Sequence, residues 1–224
     1  MRVALFLCLL LTACTARPLS EGEKSFADQL FGGTVRPQAV RFHDGAIVEK
    51  ITYQRQKRPR LACRERIWPE PDTDMITVGP AALTLFNKVF YAKPYYSKDY
   101  LHEYPSRLYL FAAMLFAHEL THVWQWQNRE TTGYSPLKVA REHDFQADPY
   151  LYDITTETRF LDYAYEQQAS IVEEYVCCAA LDPQAPRTRR LEQLLKGAFP
   201  MQSLHIPNQI LIPWDGVQTR GICQ

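Results

Sequence analysis

His118-Glu119-Leu120-Thr121-His122 is the segment of this chain best suited to chemistry. Residues four apart on an α-helix sit roughly 40° apart around its axis, so both imidazoles can reach one metal ion. Glu119, next to the first histidine, can then serve as general base toward a water that the ion activates. That is the minimal equipment for metal-assisted hydrolysis of an amide bond. The chain has six histidines, and two of them fall in this motif. At average residue usage an HExxH arises by chance in about one chain in a hundred. The bland alternative is a pair of core histidines hydrogen-bonded through Glu119. Burying these three groups without a metal is costly, because each needs a polar partner of its own.

A catalytic zinc site takes three protein ligands and keeps one position open. The third ligand is expected on a downstream helix read over Thr158 to Leu181. On that helix Ile171, Val172, Tyr175 and Val176 share an apolar arc with Phe160, Leu161 and Ala164. Glu166, Ala169 and Glu173 share the opposite side, with Asp162 nearby. The small Ala169 lets the HExxH helix approach. Periodicity leaves Glu166 and Glu173 equivalent, since they lie seven apart on one face. Glu174 points elsewhere and is expected to face solvent. A metzincin site needs a further histidine at position 128, where the chain has Asn128. His143, in Arg141-Glu142-His143-Asp144, is a candidate ligand or transition-state donor, although a lone loop histidine is more often neither. Tyr150, Tyr152, Tyr163 and Tyr165 are further candidate donors to a developing oxyanion.

These residues need a frame. Ser106 is placed to cap a helix running to about Gln127, apolar on every face from Leu108 to Ala117 and therefore central and buried. This run is too short for a membrane span. Ser20 and Glu23 form a capping-box pattern ahead of Phe26, Leu30 and Phe31, and Gly32-Gly33 stops that helix. Strands are expected at Ala46 to Tyr53, Met75 to Val78, Leu83 to Tyr91 and Tyr150 to Ile154. Leu83 to Tyr91 can offer an edge to an extended peptide. Arg55 to Arg66 reads as a solvated basic loop rather than an anion-binding patch, since no aromatics interleave it. Arg187 to Ala198 reads as an amphipathic helix. Trp124 and Trp126 read as packing residues.

His118-Glu119-Leu120-Thr121-His122-Val123-Trp124-Gln125, followed by Tyr165-Glu166-Gln167-Gln168-Ala169-Ser170-Ile171-Val172-Glu173-Glu174-Tyr175, resembles a group of bacterial zinc metallopeptidases of the gluzincin (HExxH zincin) type. Some of these are associated with Rhs, Vgr and type VI secretion genes. The resemblance covers roughly residues 73 to 180. It implies that His118, His122 and Glu166 bind Zn²⁺ and that Glu119 is the catalytic base. Ser170 stands where such helices often carry an aspartate, so the carboxylate that usually supports a ligand is absent or supplied by Glu173.

Length and composition agree with one ordinary domain: 224 residues, 46% hydrophobic, with 25 basic and 25 acidic residues. The even charge selects neither nucleic acid nor an anionic membrane. Residues 1–13 read as an export signal, with Arg2 before an apolar stretch from Val3 to Leu11. Leu11-Thr12-Ala13-Cys14 resembles a bacterial lipobox, which implies cleavage before Cys14 and lipid attachment to its sulfur. A plain secretory signal with an incidental Cys14 is the alternative. Thr15 in place of an aspartate points to the outer membrane. Cys63, Cys177, Cys178 and Cys223 would then meet oxidising conditions. A bond from Cys177 or Cys178 to Cys63 or Cys223 is expected, and no CxxC spacing suggests a thiolate zinc site.

The expectation is thus an α+β, zincin-like protein. A small mixed sheet packs on a buried HExxH helix, with a second, ligand-bearing helix beside it. Residues 14–70 carry an N-terminal helix, strand and basic loop, and 71–224 the metallopeptidase domain. The substrate is a peptide or protein, and a secretion-system or envelope partner is implied. The rival is a non-catalytic lipoprotein of the same fold, serving as an assembly factor.

Overall fold

The computed structural model describes residues 16–45, 50–143, 148–156 and 159–224. The export signal and Cys14 lie outside them. The architecture is α+β. Helix α1 (Glu21–Phe31) begins at Ser20, whose hydroxyl accepts from the Glu23 amide while the Glu23 carboxylate accepts from the Ser20 amide. It stops at Gly32, in the left-handed region at φ +58°. A Cβ there would lie 2.1 Å from the Pro200 carbonyl oxygen, so only glycine fits.

Strand β1 (Arg41–Asp44) pairs in parallel with β5 (Lys88–Tyr91), and β5 pairs antiparallel with β4 (Ala82–Leu85). The sheet order is β1-β5-β4, which leaves β4 at an edge. The single strand expected over Leu83 to Tyr91 is therefore a hairpin. It turns at Phe86-Asn87, with Phe86 at φ +60°. The two-residue turn carries no glycine, the usual hairpin signal, so the segment reads as one strand-forming run.

Strand β2 (Tyr53–Gln56) pairs antiparallel with β3 (Met75–Val78). The strand expected at Ala46 to Tyr53 is displaced: Ile51 and Thr52 are irregular, and residues 46–49 are not described. The basic segment is also not a solvated loop. It takes in the end of β2 and the one-turn helix α2 (Cys63–Arg66), and its arginines serve as internal ties. Arg58 pairs with Asp148, Arg60 bonds the carbonyls of Glu65 and Trp68, and Arg66 bonds those of Gly221 and Ile222.

Strand β6 (Arg107–Tyr109) leads directly into α3 (Leu110–Gln127) and pairs in parallel with β7 (Gln209–Leu211). Ser106 therefore caps nothing: the helix starts four residues later, and a strand precedes it. Helix α3 is about 27 Å long and buried from Ala113 to Gln125. Among the described residues, no helix is long and apolar enough to cross a membrane. The short helices α4 (Arg129–Thr132) and α5 (Pro136–Glu142) follow.

Helix α6 (Tyr165–Leu181) is the main partner of α3, with the fully buried Ala169 on it. It begins seven residues later than expected from periodicity. Tyr150 to Ile154 forms no strand. Helix α7 (Pro186–Lys196) packs Leu191, Leu194 and Leu195 onto α6. Trp124 is buried against Phe160 and Phe199, while Trp126 lies against Phe86 and Arg129. Two disulfides, Cys63–Cys177 and Cys178–Cys223, anchor α2 and the C-terminal tail to α6. They fall within the pairing expected from the sequence and leave none of these four thiols to a metal.

Candidate metal centre

Where α3 crosses α6, His118, His122 and Glu166 come together, all buried, each offering a ligand atom within 4.8 Å of the others. Glu166 Oε2 lies 3.4 Å from His118 Nε2 and 3.4 Å from His122 Nε2. This carboxylate oxygen is buried without a hydrogen-bond partner. A buried anionic oxygen left so is costly unless a cation faces it.

The polar groups behind the ligands fix which atoms face the gap. His118 Nδ1 is 3.1 Å from Glu173 Oε2, and His122 Nδ1 is 2.9 Å from Gln125 Oε1. Carboxylate and carbonyl oxygens only accept, so each Nδ1 carries the hydrogen and each Nε2 presents a lone pair. The Gln125 amide is itself oriented, because its Nε2 donates to the Tyr165 carbonyl and to Gln168 Oε1. His143 Nε2 sits 2.9 Å from Glu166 Oε1, which leaves Oε2 to face the other two imidazoles. Glu142 accepts from the amides of Tyr165 and Glu166 and so caps the first turn of α6, where Glu166 stands.

Charge at this crossing favours a cation. Burial works against protonating His118, yet the carboxylates of Glu166 and Glu173 outweigh it and push its pKa up to about 10. Burial likewise opposes charge on Glu166, but the imidazoles of His122, His118 and His143 hold its carboxyl well below the usual range. Without a metal, protons supply the positive charge that the carboxylates demand. A divalent cation between the three side chains supplies the same charge and leaves both histidines neutral. The donor set, two imidazoles and one carboxylate with supporting hydrogen bonds, therefore fits a metal such as zinc.

Glu119 is buried on the other side of the motif, and its Oε2 accepts from Thr84 Oγ1 of β4 at 2.7 Å. The edge strand thus touches the candidate base. The ring of Tyr150 lies 5.9 Å from that of His118 and 5.8 Å from that of His143. The Arg58 guanidinium stacks over Tyr150 at 4.8 Å. Tyr163 and Tyr165 spend their hydroxyls on the carbonyls of Asp153 and Thr132. Tyr152 lies toward Glu174 and Arg187.

Glu173 thus supports His118 from behind, while Glu166 faces the gap. Glu174 is the clear correction: it is fully buried and accepts from the Cys63 and Arg64 amides and from Arg187 Nε. Its partners lie far away in the chain, so the helical wheel does not show them. Gln125 was readable three residues after His122 on the same helix side. Thr84, Glu142 and Arg64 carried no local signal.

The class defined by fold and site is an α+β protein with a buried His/His/Glu group able to bind a metal. No protein-family model matches the chain, and no curated protein matches it. Among solved structures it is similar to the effector domain of Pseudomonas aeruginosa VgrG2b. That likeness has a TM-score of 0.50 and 24% identity over 83% of this chain and 84% of that one. The two share a fold.

Proposed function

We propose that this chain is a zinc-dependent metallopeptidase with a zincin-like fold. The observation that carries the proposal is Glu166 Oε2, buried, without a hydrogen bond and equidistant from His118 Nε2 and His122 Nε2. These three side chains would hold the ion, which supplies a Lewis acid for a scissile carbonyl and for water. Glu119 takes the proton of the attacking water and passes it to the leaving nitrogen. Thr84 engages Oε2 of Glu119, so Oε1 receives that proton. Strand β4 offers its edge to the backbone of an extended peptide and holds it beside Glu119. Tyr150 and His143, whose rings flank the site, are the candidate donors to the developing oxyanion.

The protein acts in the cell envelope, exported and lipid-anchored through Cys14 at the outer membrane. It works on peptides or proteins, without nucleic acid. The likeness to an effector domain supports an association with a secretion system, as the Vgr resemblance implied.

Elemental analysis of the purified chain, paired with digestion of a mixed peptide library, tests this reading. About one zinc per chain is expected, retained in Glu119→Gln and lost in His122→Ala and Glu166→Ala. Cleavage should vanish in Glu119→Gln. Zinc uptake with no cleavage by the parent would leave a non-catalytic zincin-fold lipoprotein, and no zinc uptake would end the metallopeptidase reading.

A further inference from the structure

Arg64 is a cation with only 7% of its surface exposed, and the proposed chemistry does not use it. One Nη1 atom bonds both Ser170 Oγ at 3.0 Å and Glu173 Oε2 at 3.3 Å, and Nη2 donates to the Tyr150 carbonyl at 2.7 Å. Glu173 Oε2 is the same atom that meets His118 Nδ1. Arg64 and His118 therefore pull on one oxygen from two sides. The guanidinium also crosses to the segment bearing Tyr150, whose ring stands beside His118.

Arg64 lies on α2, a single turn that cannot persist alone. Two ties hold that turn on α6. The Cys63–Cys177 disulfide is one. The other is Glu174, which accepts from the Cys63 and Arg64 amides. All the α6 partners (Ser170, Glu173, Glu174 and Cys177) lie within two turns of one helix. From these contacts we propose that Arg64 is a positioning residue that orients His118 through Glu173, and that the Cys63–Cys177 bond keeps Arg64 in place. The inference rests on the metal-site reading above.

Metal affinity then depends on the oxidation state of the protein. A dithiol reductant gives two electrons and two protons to the Cys63 and Cys177 sulfurs. Their bond breaks to two thiols, and the reductant closes to its own disulfide. The single turn α2 then keeps only its hydrogen bonds to Glu174, and Arg64 is held less firmly against Glu173. A chain still in a reducing compartment would hold metal weakly, and the exported, oxidised chain tightly.

The test is zinc affinity of the full chain, measured by competition with a chromophoric chelator. Cobalt absorption reports ligand geometry, and circular dichroism reports folding. Arg64→Met should weaken zinc about 10- to 100-fold, as loss of a group supporting a ligand does, and should alter the cobalt spectrum. Arg64→Lys should restore part of the affinity. Glu173→Gln should weaken zinc similarly, and adding Arg64→Met to it should cost little more, because both act through one path. The Cys63→Ser/Cys177→Ser pair should resemble Arg64→Met, while Cys178→Ser/Cys223→Ser should bind as the parent does.

A folded Arg64→Met that binds within about twofold of the parent overturns the positioning role. Full additivity with Glu173→Gln overturns the path. Normal affinity in the Cys63/Cys177 pair overturns the tether, and if that pair does not fold, the Arg64 and Glu173 variants still decide the positioning role. A parent that takes up no zinc would instead defeat the metal-site reading itself.

Discussion

Thr84 Oγ1 donates to Glu119 Oε2 across 2.7 Å, tying the edge strand β4 to the carboxylate of the HExxH motif. The contact holds one oxygen of the candidate base and orients the other. Thr84→Val keeps the shape and removes the donor. Peptide cleavage should fall about 10-fold in kcat, roughly the worth of one hydrogen bond to a charged group. Zinc content should stay at the parent's level. A variant that loses zinc as well would assign Thr84 to the metal site rather than to the base.

A metal held between α3 and α6 should stabilise the fold by mass action. At about 100 times its Kd, zinc should add about 2.7 kcal/mol. Thermal melts with zinc and with a chelator check this. The difference should disappear in His122→Ala and Glu166→Ala. Persistence of the full difference in Glu166→Ala would mean that another group binds the ion.

Glu174 is expected to govern stability. It is fully buried and receives Arg187 Nε together with two amides of α2. Glu174→Ala strands a largely buried cation and should cost about 3 kcal/mol in urea unfolding. A loss below about 0.5 kcal/mol would show that the residue is no more than a surface charge.

Asp148 should give stability that depends on pH. Burial raises its carboxyl, but the hydrogen bonds and charge of Arg58 outweigh burial and leave it below its ordinary value. A carboxyl lowered in the folded state contributes stability above its unfolded pKa of about 3.9, and that contribution is lost as pH falls through the folded value. Asp148→Asn should therefore be less stable than the parent by about 1 kcal/mol at pH 7. The gap should begin to narrow near about pH 4 and close only below the lowered folded value. A gap that is constant from pH 7 to pH 3 would contradict the ion-pair origin.

Cys14 is the proposed anchor. Cys14→Ser should move the protein from the membrane fraction to the soluble periplasmic fraction and abolish labelling by a radioactive fatty acid. Unchanged membrane association in that variant would point to a partner rather than a lipid as the anchor.

Much of the frame was legible because its causes are local. The capping box at Ser20 and Glu23, the stop at Gly32 and the amphipathic face of α7 follow from neighbours three or four residues apart. The same holds for the HExxH helix, whose run of apolar residues requires burial. Its start was misplaced because the first residues after Ser106 pair as β6 with β7, a partner about 100 residues away. The β4–β5 hairpin was hidden because its turn, Phe86-Asn87, carries no glycine to mark it.

The sequence by itself determined the chemistry available: two imidazoles and a carboxylate at the spacing of one helical turn, and a second helix bearing Glu166 and Glu173 on one face. It did not separate those two glutamates, since seven residues return nearly the same direction around a helix. Only the crossing of α3 over α6 did so. That crossing sets Glu166 Oε2 between the two Nε2 atoms and puts Glu173 behind His118, where Arg64 meets it. The height of a residue along a packed helix depends on where its partner crosses, and that is decided by tertiary contacts and disulfides between distant segments.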